Sequence, residues 1–163
     1  MRSVLLSPVI AAIVGCAALG CINTDAAVFV EAELTKPQIE VLESSLAVGL
    51  EGQATLTLHL GPRASGPSEV SLLGVSLLAE NAQSVLVESI AVRSEPSFPI
   101  TVPLDSDRSA VLHIDGPDNA LPTDAKTTLC GATGVVLQVV LDDGLRGATT
   151  IATSGPFGLS GCP

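Results

Sequence analysis

The sequence has almost no aromatic side chains. Its 163 residues include three Phe and neither Tyr nor Trp. Proteins that bind single-stranded nucleic acid stack the bases on aromatic rings. Surfaces that stack sugars use Trp and Tyr in a similar way. The sequence therefore argues against both kinds of binding surface, and it predicts a core built from Leu, Val, Ile and Ala.

Basic residues are also scarce. The chain has 7 Lys and Arg against 17 Asp and Glu, so its formal net charge is −10 at pH 7. A phosphate backbone is held by Lys and Arg, and an acidic surface repels it. We therefore predict no nucleic-acid partner. The acidic charge otherwise indicates no more than solubility.

Long helical patterns are missing after Cys21, where no run of ten or more residues combines helical periodicity with capping residues. Alternation between apolar and polar residues, the period of a half-buried strand, recurs instead. It is clearest in residues 53–60, where these side chains are expected to face inward: Ala54, Leu56, Leu58 and Leu60. Seven to nine such segments predict an all-β fold, a single antiparallel β-sandwich. By strand count it resembles the immunoglobulin-like or fibronectin-like group of envelope domains, although the Cys-Trp-Cys core of true immunoglobulin domains is missing.

Two pairs of residues are expected to interrupt strands in the first half of the chain. Residues 28–35 alternate, with the even-numbered side chains on the apolar face. Lys36-Pro37 is expected to end that strand, since proline cannot donate to a ladder. Farther on, Glu51-Gly52 is typical of a turn.

Four later segments predict positions within the sheets. The apolar phase of residues 69–78 shifts at Gly74, which predicts a β-bulge there. Residues 84–92 are expected to form one returning strand. The prolines within residues 96–103 predict an edge strand. Residues 135–141 are nearly all apolar, which predicts a strand buried on both faces.

The start of the chain has the composition of a secretory signal peptide. One positive charge, Arg2, precedes an apolar run over residues 4–19, which leads into Ala18-Leu19-Gly20-Cys21. A cysteine directly after a small residue resembles the lipobox of bacterial lipoprotein precursors. The resemblance implies that the Cys21 sulfur receives a diacylglyceryl group, that a peptidase cleaves before Cys21, and that acyl chains anchor the product in a membrane.

Three alternatives to this interpretation stand beside it. Cys16 also follows a glycine, but cleavage there leaves an apolar start, whereas cleavage at Cys21 places the cut where polarity begins. The segment also fits an ordinary signal peptide with an incidental cysteine. An uncleaved membrane span is disfavoured because Pro8 interrupts a run of about 16 residues, short of the ~20 that cross a bilayer.

The lipobox resemblance divides the chain into residues 1–20 as signal peptide, 21–27 as tether and 28–163 as the β-sandwich domain. About 140 residues then remain, enough for one domain with a sizeable core. Residue 22 is Ile and not Asp, so the inner-membrane retention signal of some Gram-negative lipoproteins is absent. The expected location is the cell envelope, lipid-anchored in the outer membrane.

Only two cysteines, Cys130 and Cys162, lie in the body of the chain. In an exported protein such a pair predicts a disulfide bond. A metal site is the weaker alternative, because neither cysteine has a second ligand close by in sequence.

Acidic turns are the remaining candidates for chemistry. Asp105, Asp107, Asp142 and Asp143 are candidate Ca²⁺ ligands, because clustered loop carboxylates hold calcium through oxygen atoms. No EF-hand spacing is present, and Asp is also a common turn former. The two histidines, His59 and His113, fall on the polar phase of their strands. They would bind a metal only if the fold made them neighbours.

The sequence contains no nucleophile elbow or other catalytic pattern. We therefore expect a non-enzyme: a membrane-anchored interaction or assembly module that binds an envelope protein and carries no cofactor beyond its covalent lipid. Residues 28–35 are the predicted edge that recruits this partner by strand addition. The alternative is an envelope receptor domain for a small solute or calcium.

Overall fold

A computed structural model describes residues 26–45, 47–82 and 84–162 of the protein. In that part of the chain, ten strands form two sheets whose ladders are all antiparallel. The sheets share one hydrophobic core. The predicted all-β antiparallel sandwich is confirmed, whereas its immunoglobulin-like or fibronectin-like subclass stays a prediction. The predicted signal peptide, Cys16 and Cys21 lie outside the described residues.

In chain order, the strands are β1 (Glu31–Glu43), β2 (Val48–Leu60), β3 (Ser68–Ala79), β4 (Val85–Val87), β5 (Val92–Glu95), β6 (Ile100–Val102), β7 (Ser106–Ile114), β8 (Ala120–Leu121), β9 (Val135–Asp143) and β10 (Ala148–Thr153). A 3₁₀ helix covers Gly116–Asn119, and the α-helix α1 covers Ala125–Gly131. The first sheet has the order β1-β2-β7-β5, with β8 beside β2. The second sheet has the order β10-β9-β3-β4, with β6 also beside β3.

The core lies between the sheets and follows the alternation of the sequence. The inward residues of the predicted strand 53–60 are all buried, as are Leu112 and Ile114 of β7 and Leu137 and Val139 of β9. The buried core residues are Leu, Val, Ile and Ala, as the shortage of aromatics predicts. Burial of each Leu, Ile or Val side chain contributes ~1.5–3 kcal/mol, so many small contributions replace a few aromatic ones.

The expected break at Lys36-Pro37 is wrong. β1 continues to Glu43, and the pairing with β2 shifts register between Thr35 and Gln38. Residues 36 and 37 therefore form a bulge within one strand. Lys36 lies in the left-handed region with φ 52°, and Pro37, which has no N–H, needs no ladder partner there.

The expected turn at Glu51-Gly52 is wrong as well, because β2 runs straight through it. Gly52 pairs with Ile39 beside the bulge. A Cβ atom at Gly52 would lie 2.0 Å from the carbonyl oxygen of Gln38. The glycine therefore permits the bulged strand to approach, and it does not turn the chain.

Residues 84–92 do not form one strand. β4 pairs with β3 in the second sheet, whereas β5 pairs with β7 in the first, so the chain crosses between the sheets here. This crossing and the two-residue β8 raise the count to ten strands rather than seven to nine. Val28 is also exposed, contrary to the predicted phase, because β1 begins only at Glu31.

Two other predictions agree with the structure. The β3–β9 ladder shifts register between Leu72 and Gly74, as expected for a bulge. β6 lies at an edge, beside β3. The predicted burial of residues 135–141 on both faces is only partly correct, because β9 is central but Gln138 and Val140 on its outer face are only half-buried. The seven-residue α1 was not predicted, because the search for helical periodicity considered runs of ten or more residues.

The C-terminal tail joins the two sheets. Phe157 exchanges backbone hydrogen bonds with Val135 of β9, at 2.9 Å in both directions. Ser160 then bonds to the outer edge of β1, donating to Ile39 and accepting from Val41.

A disulfide fixes the end of this tail. It joins Cys130 of α1 to Cys162, whose Cα atoms are 5.3 Å apart, across 32 residues of sequence. Such a loop closure stabilises by roughly 3–4 kcal/mol in the chain-entropy model. The bond therefore holds the tail across the side of the sandwich.

We expect Gly52→Ala to lower the free energy of unfolding by at least about 2 kcal/mol, because the new Cβ would collide with backbone that must then move. Chemical denaturation measures this. Gly74→Ala is the matched control: a Cβ at this bulge glycine meets no atom within 4 Å. It should be neutral or stabilise by up to about 1 kcal/mol. Equal effects of the two substitutions would contradict the close approach at Gly52.

Candidate functional site

The two histidines lie on the outer face of the first sheet, but they are not neighbours. His59 pairs in register with Asp107, and its Nδ1 lies 2.6 Å from the Asp107 Oδ1. His113 pairs with Gln53, six residues farther along β7. At ~3.3 Å per residue this places the histidines roughly 20 Å apart. They do not form one metal site.

His113 lies in a small charged cluster at one corner of the same face. Its Nε2 is 4.0 Å from a carboxylate oxygen of Glu95. Arg93 approaches Glu95 at 3.4 Å and Asp115 at 3.6 Å. Exposed pairs of this kind contribute little to stability, about 0–1 kcal/mol each. The cluster therefore contributes little to the stability of the fold, and its main effect is on the charge of this part of the surface.

An open groove of about 670 Å³ lies beside this cluster, over the bulge of β1. Its polar lining includes Gln38, Glu51, Gln53, His113 and Asp115. The tail forms another wall, through Gly158 and Ser160. The lining offers hydrogen-bond acceptors and negative charge, which suit a polar or cationic small molecule.

The four candidate calcium ligands are dispersed. Asp107 is engaged by His59, and Asp143 is buried, whereas Asp105 and Asp142 are exposed. No group of three or more His, Cys, Asp or Glu side chains in the described ranges is placed to hold a metal ion. This placement gives the calcium hypothesis no support.

Asp143 is the most constrained polar side chain of the fold. It is fully buried at the end of β9. Its Oδ1 accepts hydrogen bonds from the Ser68 hydroxyl at 2.5 Å and the Leu145 N–H at 3.0 Å. Its Oδ2 accepts from the Val30 N–H at 2.9 Å. One carboxylate thus joins the chain before β1, the start of β3 and the β9–β10 turn.

These bonds keep Asp143 ionised. Burial alone would raise the pKa of the carboxyl group, since desolvation disfavours the charge. The hydrogen bonds from Ser68, Val30 and Leu145, with a further one from the Arg146 backbone, outweigh that effect and hold the pKa of Asp143 below its ordinary value of 3.8. From the sequence, Asp143 was expected only to form part of an acidic turn or to bind Ca²⁺. The inward phase of residues 137, 139 and 141 reaches Asp143, and that was the signal for its burial.

Asn119 was also missed by the sequence analysis. Its buried side chain accepts a hydrogen bond from the Ala91 N–H at 2.7 Å and donates to the Ala91 carbonyl at 2.9 Å. It also donates to the Asp115 carbonyl at 3.0 Å. The amide thereby clamps the crossing between the sheets against the 3₁₀ helix.

β1 is the outer strand of the first sheet, as expected for the predicted recruiting edge. The tail covers the half of this edge beyond the bulge, at Ile39 and Val41. Alternation of antiparallel hydrogen bonds turns the backbone groups of Ala32 and Leu34 away from β2. In the half of β1 before the bulge, the backbone groups of Ala32 and Leu34 therefore lie along the outer edge of the sheet.

No protein-family model matches the chain, and neither a curated protein nor a solved structure matches it. No helix in the described part of the chain is long and apolar enough to cross a membrane.

Asp143→Asn should lower the free energy of unfolding at neutral pH by about 2 kcal/mol or more, because hydrogen bonds to a charged acceptor are lost. Asp142→Asn, at the exposed neighbour, should change it by less than about 0.5 kcal/mol. Urea unfolding at several pH values measures both.

The pH dependence has a defined sign. Because folding lowers the pKa of Asp143, its contribution to stability is present above 3.8 and is lost as pH falls through the folded-state pKa. The stability difference between wild type and Asp143→Asn should therefore shrink below pH 3.8. A difference that stays constant with pH would contradict an ionised Asp143.

Proposed function

We propose that the protein is a lipid-anchored envelope lipoprotein whose β-sandwich acts as a non-catalytic interaction or assembly module. The observation that carries this proposal is the pattern of residues 1–21, an apolar run that ends in Leu19-Gly20-Cys21. The lipobox resemblance assigns the lipid to Cys21. The described chain begins at residue 26, a few residues beyond that cysteine.

Lipidation would determine where the domain works. Each buried CH₂ group contributes ~0.8 kcal/mol, so two or three acyl chains make release from a membrane negligible. With Ile22 after the lipidated cysteine, the proposed location is the outer membrane. No cofactor other than this lipid is proposed.

The proposed partner is an envelope protein that adds an extended segment to the free half of β1. An unpaired strand edge binds such segments through backbone hydrogen bonds. Ala32 and Leu34 supply those groups, and the tail already uses the other half of this edge in the same way, at Ser160. Glu31 and Glu33, which are on the same strand, favour a segment that carries Lys or Arg.

The site of lipidation is tested by two matched substitutions in the full chain. Cys21→Ser should abolish acylation and leave an uncleaved precursor, because the thiol that receives the lipid is gone. Cys16→Ser should be acylated and cleaved as in wild type. Intact mass spectrometry of the membrane fraction measures both. Acylation that persists in Cys21→Ser would contradict the proposed anchor.

The recruiting edge is tested by proline, which removes a donor and blocks an added strand. Ala32→Pro should strongly reduce the capture of the partner by crosslinking in the native membrane. Ser94→Pro is the matched control, because hydrogen-bond alternation turns its backbone away from β7 at the opposite edge of the same sheet. Equal loss in both variants would count against β1 as the recruiting edge.

A second candidate function is an envelope receptor for a small polar solute. The polar groove over the β1 bulge favours it, because its volume of about 670 Å³ lies in the range of ligand pockets. A ligand that binds only the folded state raises the melting temperature. A reproducible rise with a defined solute, abolished by Gln53→Ala, would favour this function over the interaction module.

A further inference from the structure

Four connections meet at one end of the sandwich: residues 26–30, 61–67, 103–105 and 144–147. The register of the strands places them together, since Leu60 pairs with Ser106, and Ser68 pairs with Val102. The Asp143 carboxylate ties Val30 to Ser68 at the same point. We call these four connections the tether end, because the chain from Cys21 arrives there.

The tether end carries exposed apolar side chains. Val28, Phe29 and Leu104 are each 43% exposed. Phe29 directly precedes Val30, and Leu104 follows two residues after Val102, so both lie close to the groups gathered on Asp143. Water around large exposed apolar side chains is unfavourable, and a cover of apolar material would stabilise them.

Two arginines lie at the same end. Arg63 and Arg146 are exposed, and neither forms an ion pair with a carboxylate of the described residues. The Arg146 guanidinium lies 6.0 Å from the centre of the Phe29 ring. Of the other described basic residues, Arg93 and Lys126 are ion-paired, whereas Lys36 and Arg108 are not. Free guanidinium groups are suited to lipid phosphates.

The charge of the tether end is nevertheless mixed. Glu31, Glu69 and Asp105 are exposed near the same connections. A strongly anionic surface is therefore not the matching partner. The apolar side chains supply the attraction, and the two arginines supply contacts to phosphate, which both zwitterionic and anionic lipids present.

The length of the tether limits where a bilayer lies. Ala26 lies five residues after Cys21, and a fully extended chain spans at most about 18 Å over those five steps. β2 has 13 residues, so the sandwich is roughly 40 Å long at ~3.3 Å per residue. A lipid on Cys21 therefore holds the tether end beside the membrane surface. If the domain stands upright, the opposite end of the sandwich lies far from the membrane.

We infer that the tether end rests on the bilayer that holds the lipid anchor, with Val28, Phe29 and Leu104 inserted among the headgroups. This inference depends on the proposed lipidation of Cys21. A domain that rests on the bilayer in this way has one orientation. In that orientation, the half of β1 before the bulge lies nearest the membrane.

A rival surface for the bilayer is the outer face of the second sheet, where Leu73, Val85 and Ile151 are exposed. Polar side chains interrupt that face, since Thr149 and Thr153 flank Ile151, and Asp142 pairs with Thr149. Scattered apolar side chains are ordinary on protein surfaces. The tether end combines adjacent apolar residues with a short link to the anchor, and we therefore favour it.

Because the chain contains no Trp, the fluorescence of a single introduced Trp in the lipidated full chain reports on one position only. Phe29→Trp is reconstituted into vesicles of phosphatidylethanolamine with a minority of phosphatidylglycerol, with and without lipids brominated on their acyl chains. We expect several-fold stronger quenching by brominated lipid than for Leu42→Trp, which reports from the opposite end. Leu104→Trp is a second reporter, and it keeps the test valid if Phe29→Trp fails to fold.

Each outcome has a defined meaning. Intact mass without acyl chains would overturn the proposed anchor and, with it, this inference. An acylated chain in which Phe29→Trp and Leu104→Trp are quenched no more than Leu42→Trp would overturn the inference alone. Stronger quenching of Ile151→Trp than of both tether-end reporters would also overturn it, since the domain would then lie flat on its second sheet.

Discussion

One buried carboxylate determines how the chain enters and closes this sandwich. An ionised group inside a fold is costly unless hydrogen bonds satisfy it. Asp143 meets this requirement with donors from two distant segments, at Val30 and Ser68, and from its own turn, at Leu145. Because all three must converge on it, the segment before β1 is held against the β9–β10 turn. The position of the tether end follows from this convergence.

A second constraint on the fold is the C-terminal tail, which crosses from one sheet to the other. Backbone bonds at Phe157 and Ser160 join β9 to the edge of β1, and the disulfide at Cys162 prevents the tail from leaving. The bulge of β1 lies at the boundary of the covered half. The one extra residue of the bulge bends the strand, and Gly52 provides the space for the bend. Within the described residues, the edge therefore has one half that the tail covers and one half that no other segment covers.

The proposed anchor and the proposed recruiting edge are related by this geometry. The accessible half of β1 begins at Glu31, immediately after the segment that Asp143 fixes. A partner strand added there would be held near the membrane, whereas the charged corner with His113 and the polar groove lie farther along the strands. An interaction module with this arrangement would collect envelope partners at the lipid surface.

Local patterns were sufficient for much of the fold. Alternation placed the inward residues of 53–60, a phase shift located the bulge at Gly74, and prolines marked β6 as an edge. For the functional segments, the lipobox resemblance at Cys21 is wholly local, and the pairing of Cys130 with Cys162 followed because no other cysteine lay in the body of the chain. Each of these predictions depends on residues that are neighbours in sequence or on the number of cysteines.

Other features depend on contacts between residues far apart in sequence. Lys36-Pro37 resembled a strand end, because nothing local reveals that a glycine 15 residues later allows a bulge. Asp143 resembled a turn residue, since its donors at Val30 and Ser68 are brought to it only by the packed sheets. The sequence by itself determined the strand periods and the aliphatic core, and the proposed lipid anchor rests on the sequence alone. Only the tertiary structure decided which strand edges stay open and where the tether leaves the fold, because both depend on which distant backbone groups satisfy one another.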